Sequence, residues 1–219
     1  VAPNQEDIAD DGVDQNCDGE DQTSQGCQLD NCTFSLKNGD FSQDFAYIST
    51  FTFQMGSPQT EVGRDGDEEQ HWAHLSYDFY LMNTEVNQGF YQELIGSNPS
   101  WLQHPDHPVE TVSWLNAAFF ANALTEWSNQ TLGTAFQSCY LCQNGFCDTA
   151  IDPIQECTGY RLPTEAEWEL AARAGTRKAI WTERGGGDIL KGWENASGCE
   201  ETWSLSDGTP IYDLAWFCL

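Results

Sequence analysis

The chain has 219 residues, 39% of them hydrophobic, and its nine Trp and 12 Phe suffice to bury one sizeable core. Eight Lys and Arg residues against 35 Asp and Glu residues give a formal net charge of −27. Such a field repels nucleic-acid phosphates and anionic lipid headgroups, so we expect no nucleic-acid partner and a poor fit to membrane surfaces, whereas divalent cations are attracted. No apolar run approaches the roughly 20 residues of a membrane-spanning helix, so we expect no transmembrane segment.

Nine cysteines are more than a reducing cytosol usually tolerates in a chain of this length. They favour an oxidising compartment, so we expect the protein to be secreted, periplasmic or exposed at the cell surface. The sequence begins at Val1 without a signal peptide, and we therefore expect the natural N-terminus to be missing.

Residues 1–33 contain nine acids and no base, with too few large apolar side chains to support a core, and we interpret them as an acidic linker or tail. Within this segment Asp14, Asn16 and Asp18, followed by Gly19, have the spacing of the first half of a calcium-binding loop, and Asp21 is a further candidate ligand. A full EF-hand would require Glu where this chain has Gln25, so the segment predicts a weak calcium site and resembles the acidic calcium-type repeats of some secreted bacterial proteins. The alternative is a solvated linker without bound metal.

Alternating apolar residues indicate strands in the next part of the chain. FTFQMGS, from Phe51 to Ser57, has the alternation of a half-buried strand. The stretch from His74 to Val86 is predicted as one second strand, because its odd-numbered residues from Leu75 to Leu81 are apolar or aromatic and share a face.

Two helices are predicted next. Asn87 is the expected N-cap of a short helix that ends at Gly96. The second helix begins after Ser113 and extends to Trp127. It is apolar almost all round, so we expect it to be buried on most faces.

A third helix has the clearest boundaries. In RLPTEAEWELAARAG, from Arg161 to Gly175, Thr164 is the predicted N-cap and Glu167 completes a capping box. Acidic residues occupy the first turn, Arg173 occupies the last, and Gly175 ends the helix.

Four closely spaced cysteines, Cys139, Cys142, Cys147 and Cys157, lie in an otherwise polar stretch before this third helix. Their spacing predicts two local disulfides, and of the three pairings we favour Cys142–Cys147 nested inside Cys139–Cys157. The alternative is a zinc site, which the absence of a second Cys-x-x-Cys makes unattractive.

Other candidate sites have ordinary explanations. The pairs His71/His74 and His104/His107 could suggest zinc, but Pro105 prevents the second pair from lying on a helix. The series Glu165, Glu167 and Glu169 could suggest a pair of catalytic acid and base carboxylates, but helix capping and the helix dipole explain the first two. Ser57 lacks the Gly-x-Ser-x-Gly pattern of a hydrolase nucleophile.

Six segments, in order along the chain, resemble formylglycine-generating enzyme domains of the sulfatase-modifying factor family. They are MGS (Met55 to Ser57), GRDGDEEQH (Gly63 to His71), FYLMNTEVNQGFY (Phe79 to Tyr91), GSNPS (Gly96 to Ser100), HPVETVSW (His107 to Trp114) and YRLPTEAEWELAARAG (Tyr160 to Gly175). The stretch RLPTEAEWE is the most specific of them. The resemblance implies an irregular, loop-rich α+β fold related to C-type lectins, which would span residues 34–219 and be truncated at its C-terminus.

The resemblance also carries an expected activity. Catalytic members of the family oxidise a cysteine of a target protein to formylglycine with oxygen and copper, through two cysteines late in the domain. The late cysteines of this chain, Cys199 and Cys218, do not stand in a matching context, so no catalytic residue or copper ligand is assigned. The sequence from Leu214 to Leu219 resembles the segment just upstream of that region, so we expect an N-terminal portion of the domain.

Two functional hypotheses follow. In the first, the intact protein is a secreted formylglycine-generating-type oxidase that acts on a sulfatase or another protein substrate. In the second, the same fold serves as a non-catalytic, lectin-like binding module, because a fold does not fix a function.

Overall fold

The computed structural model describes residues 33–190 and 204–214, which divide into two compact units. Of the described residues, the first unit contains 33–49, 78–99 and 104–110, and the second contains 50–77, 100–103, 111–190 and 204–214. Over these ranges, no helix is both long enough and apolar enough to cross a membrane. The predicted calcium segment, Cys199 and Cys218 lie outside them.

Seven strands and three α-helices make up the regular structure of the described residues. The strands are β1 (Thr33–Asn38), β2 (Phe41–Ile48), β3 (Phe51–Met55), β4 (His71–Leu75), β5 (Phe79–Met82), β6 (Tyr140–Gln143) and β7 (Phe146–Thr149). The helices are α1 (Gln88–Ile95), α2 (Trp114–Thr131) and α3 (Glu165–Arg173), with short 3-10 turns at Ile154–Glu156 and Ile211–Asp213.

In the first unit, an antiparallel sheet of order β1-β2-β5 packs against α1. Residues that alternate along β2 are buried, among them Gln43 and Phe45, as expected for a strand with one covered face. Asn87 caps α1 by accepting a hydrogen bond from the Phe90 N–H, and Gly96 ends the helix in the left-handed conformation. Both boundaries of the first predicted helix are therefore confirmed.

The second unit contains an antiparallel pair of β3 and β4, on which α3 packs. The predicted strand at Phe51 is confirmed. The single strand predicted from His74 to Val86 is wrong, because β4 pairs with β3 whereas β5 pairs with β2 in the first unit. Shared alternation made the two strands look continuous, and only the pairing partners separate them.

Helix α2 begins after Ser113, whose side chain forms a reciprocal capping box with Asn116. Its buried stripe consists of small and apolar residues, namely Ala118, Phe120, Ala121, Leu124, Thr125 and Ser128. The expectation that α2 would be buried on most faces is wrong, because Trp114 and Phe119 are about half exposed, at 51% and 57%. Within the described residues, only one side of this apolar helix finds a packing partner.

The cysteine-rich stretch forms the β6–β7 hairpin. Asn144 and Gly145 make its two-residue turn, and both have positive φ, at 52° and 80°, as a type I′ turn requires. Disulfides join Cys139 to Cys157 and Cys142 to Cys147, so the predicted nested pairing is confirmed and the zinc alternative is excluded for these four residues.

Helix α3 begins with the predicted capping box between Thr164 and Glu167. Its C-cap is Ala174, in the left-handed conformation, followed by Gly175 at positive φ. After α3, isolated β-bridges pair Ile180 with Gly187 and Ser204 with Pro210. The buried Thr182 donates a 2.5 Å hydrogen bond to Asp207. Small sheets, few helices and long loops confirm the predicted irregular α+β fold class.

Candidate functional site

The calcium site predicted from the sequence is not tested by the described residues. Asp14, Asn16, Asp18 and Asp21 lie outside them, so the calcium site stays a prediction. Over residues 33–190 and 204–214, no group of three or more His, Cys, Asp or Glu side chains could hold a metal ion.

The four histidines have local structural roles. The imidazole Nδ1 of His71 contacts the carbonyl of Glu69 at 2.8 Å, and that of His74 contacts the Thr52 hydroxyl at 2.7 Å. In the first unit the rings of His104 and His107 stack with centroids 4.3 Å apart. These contacts account for the histidines as turn and strand residues.

Glu167 of α3 is fully buried and forms a polar network that we call the α3 node, comprising Arg161, Thr164, Glu167 and Tyr77. Arg161 donates to both carboxylate oxygens of Glu167, at 2.5 and 2.7 Å. The Thr164 N–H and the Tyr77 hydroxyl donate to the same carboxylate, at 2.7 and 3.0 Å.

The electrostatics of the α3 node match this geometry. Burial by itself raises the pKa of Glu167, but the hydrogen bonds from Arg161 and Thr164 outweigh it, so the pKa lies below the ordinary value of 4.5. Glu167 is therefore ionised at neutral pH with its oxygens occupied, which suits a structural role and leaves no lone pair for catalysis.

The neighbouring candidates are occupied as well. Glu169 accepts hydrogen bonds from the Gly56 N–H at 2.8 Å and from Arg173 Nε at 2.7 Å. A hydrogen bond from Ser57 is the main cause that lowers the pKa of Glu68, so the Ser57 hydroxyl supports a turn. The contacts of Glu169 and Ser57 thus tie α3 and the turn after β3 together, which is a structural role.

A different surface of the second unit is concave. An open cleft of about 340 Å³ lies between α2 and the β6–β7 hairpin, and we call it the α2–β6 cleft. It is lined by Phe119, Asn122, Ala123, Glu126, Ser138, Tyr140, Leu141, Cys142 and Gln143. The α2 residues follow the spacing i, i+3, i+4 and i+7, which places them in one stripe along the helix.

The base of the cleft is rigidly held. The Asn122 amide donates to the Tyr140 carbonyl at 2.7 Å and accepts from the Tyr140 N–H at 3.1 Å, which joins α2 to β6. The Tyr140 hydroxyl accepts from the Leu162 N–H at 3.0 Å, and burial raises the pKa of this phenol. Cys142, which lines the cleft, is tied to Cys147 across the hairpin.

The rim of the cleft carries exposed side chains that are not bonded to other described residues. Phe119 and Leu141 are exposed, at 57% and 60%. The side chains of Glu126, Ser138 and Gln143 make no hydrogen bond to any other described residue. Apolar surface beside unused polar groups is the usual composition of a ligand site.

Sequence reasoning missed this cleft, although two signals were present. The dipeptide Asn144-Gly145 between two short β-prone runs is a strong hairpin signal. The stripe from Phe119 to Glu126 combines an aromatic residue with polar ones on a single helix face, which a fully buried helix would not carry.

Comparison with known proteins gives relatives of several kinds. The chain is 30% identical over 131 residues to the chaperone protein LppX of Paenibacillus barcinonensis, in a match that covers 54% of this chain and 45% of LppX. The solved structure of Treponema denticola variable protein 1 superposes with a TM-score of 0.53 at 25% identity, covering 68% of this chain and 59% of that one. PvdO from Pseudomonas aeruginosa gives a TM-score of 0.46 at 20% identity, covering 80% and 62%.

The chain thus spans less than two thirds of the length of each of these proteins. The sequence profile of the family described as the sulfatase-modifying factor enzyme 1-like domain matches residues 41–208, which are most of the chain. This range contains α1, α2, α3 and the cysteine-rich hairpin. The chain therefore belongs to the family of sulfatase-modifying factor enzyme 1-like domains.

Proposed function

We propose that the chain acts as a recognition module on the sulfatase-modifying factor fold and binds its ligand in the α2–β6 cleft. The observation that carries the proposal is the rim of the cleft, where exposed Phe119 and Leu141 border three polar side chains without a hydrogen bond to another described residue. The Asn122–Tyr140 hydrogen bonds and the Cys142–Cys147 disulfide fix the backbone at the base of the cleft, so a ligand does not have to order that backbone on binding.

The contrast with the α3 node supports the proposal. The node's carboxylate is fully bonded inside the protein, so it has no capacity for an external ligand. The similarity to a protein named as a chaperone is in keeping with a binding role, although it covers only 54% of this chain.

Oxidation of a target cysteine is the second candidate function, and the family match over residues 41–208 favours it. The described residues do not fit a copper site of the expected kind, since all four described cysteines form disulfides and offer no thiol. Cys199 and Cys218 lie outside the described residues. We therefore derive no oxidative step from this chain.

Oxygen uptake tests whether this chain oxidises a target cysteine. The chain is incubated with Cu(I), a thiol reductant and a cysteine-containing peptide, and oxygen consumption and peptide mass are followed. We expect oxygen uptake at the level of the copper-only control and no loss of the peptide's thiol. Peptide-dependent uptake with conversion of cysteine to formylglycine would establish the oxidase and overturn the non-catalytic proposal.

Ligand binding in the cleft is tested with capped tripeptides Ac-Leu-Xaa-Leu-NH₂, in which Xaa covers all side-chain types. We expect some of them to shift the backbone amide resonances of residues 119–126 and 138–143 of the full chain. Phe119→Ala should abolish these shifts, whereas Phe51→Ala, which removes another exposed phenylalanine remote in sequence from the cleft lining, should preserve them. Absence of cleft shifts with every tripeptide would contradict the proposal.

We also propose an oxidising compartment for the protein, since two disulfides persist only where thiols are not kept reduced. Production in a bacterial periplasm should give protein with Cys139, Cys142, Cys147 and Cys157 oxidised, as measured by peptide mapping without reduction.

Weak calcium binding by the acidic segment is a separate part of the proposal. An Asp14→Asn, Asp18→Asn variant should lose the heat of calcium binding that calorimetry measures for the unchanged chain.

A further inference from the structure

The charge on the described lining of the α2–β6 cleft is negative. Of the nine described residues that line it, Glu126 is the charged one, and none of the nine is Lys or Arg. Asp148 lies directly opposite Leu141 on the β6–β7 ladder, so a second carboxylate borders the same surface. With a formal net charge of −27 around it, the cleft lies in a negative potential.

The Glu126 carboxylate is available to a ligand. It lies on the exposed side of α2, seven residues after Phe119, and makes no ion pair or hydrogen bond to the other described residues. A carboxylate beside apolar surface on one helix stripe attracts a cation that is carried on an apolar stem. Phe119 and Leu141 supply the apolar surface for such a stem.

The size of the cleft limits its occupant. At about 340 Å³ it lies near the lower end of the range of roughly 300–1,000 Å³ typical of small-ligand sites. It therefore accommodates one or two side chains of a peptide segment. An anionic ligand would be repelled, and a purely apolar one would desolvate Glu126 without a partner.

We infer that the α2–β6 cleft binds a peptide segment of a partner protein that carries a Lys or Arg side chain beside an aliphatic one. The cation lies against Glu126 and the aliphatic neighbour packs on Phe119 and Leu141. This inference rests on the proposed binding function and adds the chemical class of the ligand. Ser138 and Gln143 supply hydrogen-bonding groups for the peptide backbone.

The test compares two matched probes, Ac-Leu-Lys-Leu-NH₂ and Ac-Leu-Nle-Leu-NH₂, where norleucine keeps the stem of lysine and removes its charge. Dissociation constants are obtained from titration of the cleft amide resonances of the full chain. We expect the lysine probe to bind up to about fivefold more tightly, given the size of one exposed ion pair. Raising the salt to 0.5 M should reduce the ratio, because exposed charges are screened.

Two variants sharpen the result. Glu126→Gln should remove most of the lysine preference while norleucine binding stays unchanged. Glu93→Gln changes the net charge equally at an exposed position of α1 in the first unit, and it should keep the preference. Both substitutions are at exposed positions, so both variants should fold.

Each outcome decides a different claim. Cleft binding in which norleucine equals lysine, or a preference that survives Glu126→Gln, would overturn this inference and leave the binding function intact. Equal loss of the preference in Glu93→Gln would show a general charge effect and would also overturn it. Absence of cleft binding for both probes and for every other tripeptide would overturn the binding function itself.

Discussion

The α3 node and the α2–β6 cleft belong to the same unit and use the same kinds of side chain, but they differ in how their polar groups are bonded. In the node, the Glu167 carboxylate receives hydrogen bonds from Arg161, Thr164 and Tyr77. In the cleft, the Glu126 carboxylate receives none from the described residues.

The difference separates two purposes of a carboxylate. A buried acid must be fully bonded, because leaving it unpaired costs several kcal/mol, so its position is fixed by the fold. An exposed acid beside apolar surface costs the fold little and is available to a partner. The node is therefore expected to control stability, and the cleft is expected to control binding.

The largest expected effect is at the node. Glu167→Gln leaves the Arg161 charge, only 12% exposed, without its counter-charge, and should lower the free energy of unfolding by about 3–5 kcal/mol. Urea denaturation followed by circular dichroism measures the change. Glu165→Gln, at an exposed position in the first turn of α3, is the matched control and should cost about 0.3–1 kcal/mol. Equal losses in the two variants would contradict the assignment of the node.

The difference in unfolding free energy between wild type and Glu167→Gln should depend on pH. Because the folded-state pKa of Glu167 lies below its ordinary value of 4.5, its contribution to stability is fully present above that value. It is lost as the pH falls through the folded-state pKa. The gap in unfolding free energy between wild type and Glu167→Gln should therefore be constant from pH 7 to about 5.5 and shrink below pH 4.5. A gap that widens on acidification would show that another group titrates at the node.

The two disulfides provide a third comparison. Cys139 is fully buried in a cluster with Ala118, Ala121 and Tyr140, and its bridge to Cys157 closes a sequence separation of 18. The Cys142–Cys147 bridge closes a separation of only five. Replacing both cysteines by Ala should cost about 3 kcal/mol for the first bridge and about 2 kcal/mol for the second, because the longer loop gains more entropy on unfolding. Thermal denaturation of the two double variants shows which bridge costs more stability when it is removed. A larger loss for the Cys142–Cys147 variant would mean that the bridge at the cleft is the more stabilising one.

Two buried glutamines of the first unit test whether the hydrogen bonds of a buried polar group determine the cost of replacing it. The Gln88 amide is bonded to Asn98, the His104 N–H and the Pro108 carbonyl, whereas neither amide atom of Gln43 has a partner among the described residues. Gln88→Leu should destabilise the protein by about 1–3 kcal/mol, because it leaves bonded groups without partners. Gln43→Leu should be neutral or stabilising by up to about 1 kcal/mol. Denaturant midpoints compare the two, and a larger loss for Gln43→Leu would mean that its amide is bonded after all.

The smallest effect on stability is expected at the cleft. Phe119→Ala and Glu126→Gln should each change the free energy of unfolding by no more than about 0.5 kcal/mol, since both side chains are exposed. Differential scanning calorimetry of both variants checks this. A loss above about 2 kcal/mol in Phe119→Ala would identify Phe119 as a core residue and remove the main apolar wall of the proposed site.

The sequence alone determined the features that depend on near neighbours in the chain. The caps at Asn87 and Thr164 and the start of α2 after Ser113 were predicted correctly, because each depends on residues a few positions apart. The nested disulfides were also predicted correctly, since all four cysteines lie within one short stretch of the chain. The family resemblance also gave the α+β fold class.

Only the tertiary structure decided which partners those elements take. It assigned the stretch after His74 to two strands in different sheets, since both alternate alike and only long-range pairing distinguishes them. It left one apolar side of α2 exposed, because burial depends on what packs against a helix, which residue type does not record. It likewise bonded Glu167 and left Glu126 unbonded by described residues, since the partners Tyr77 and Arg161 reach Glu167 only through the fold.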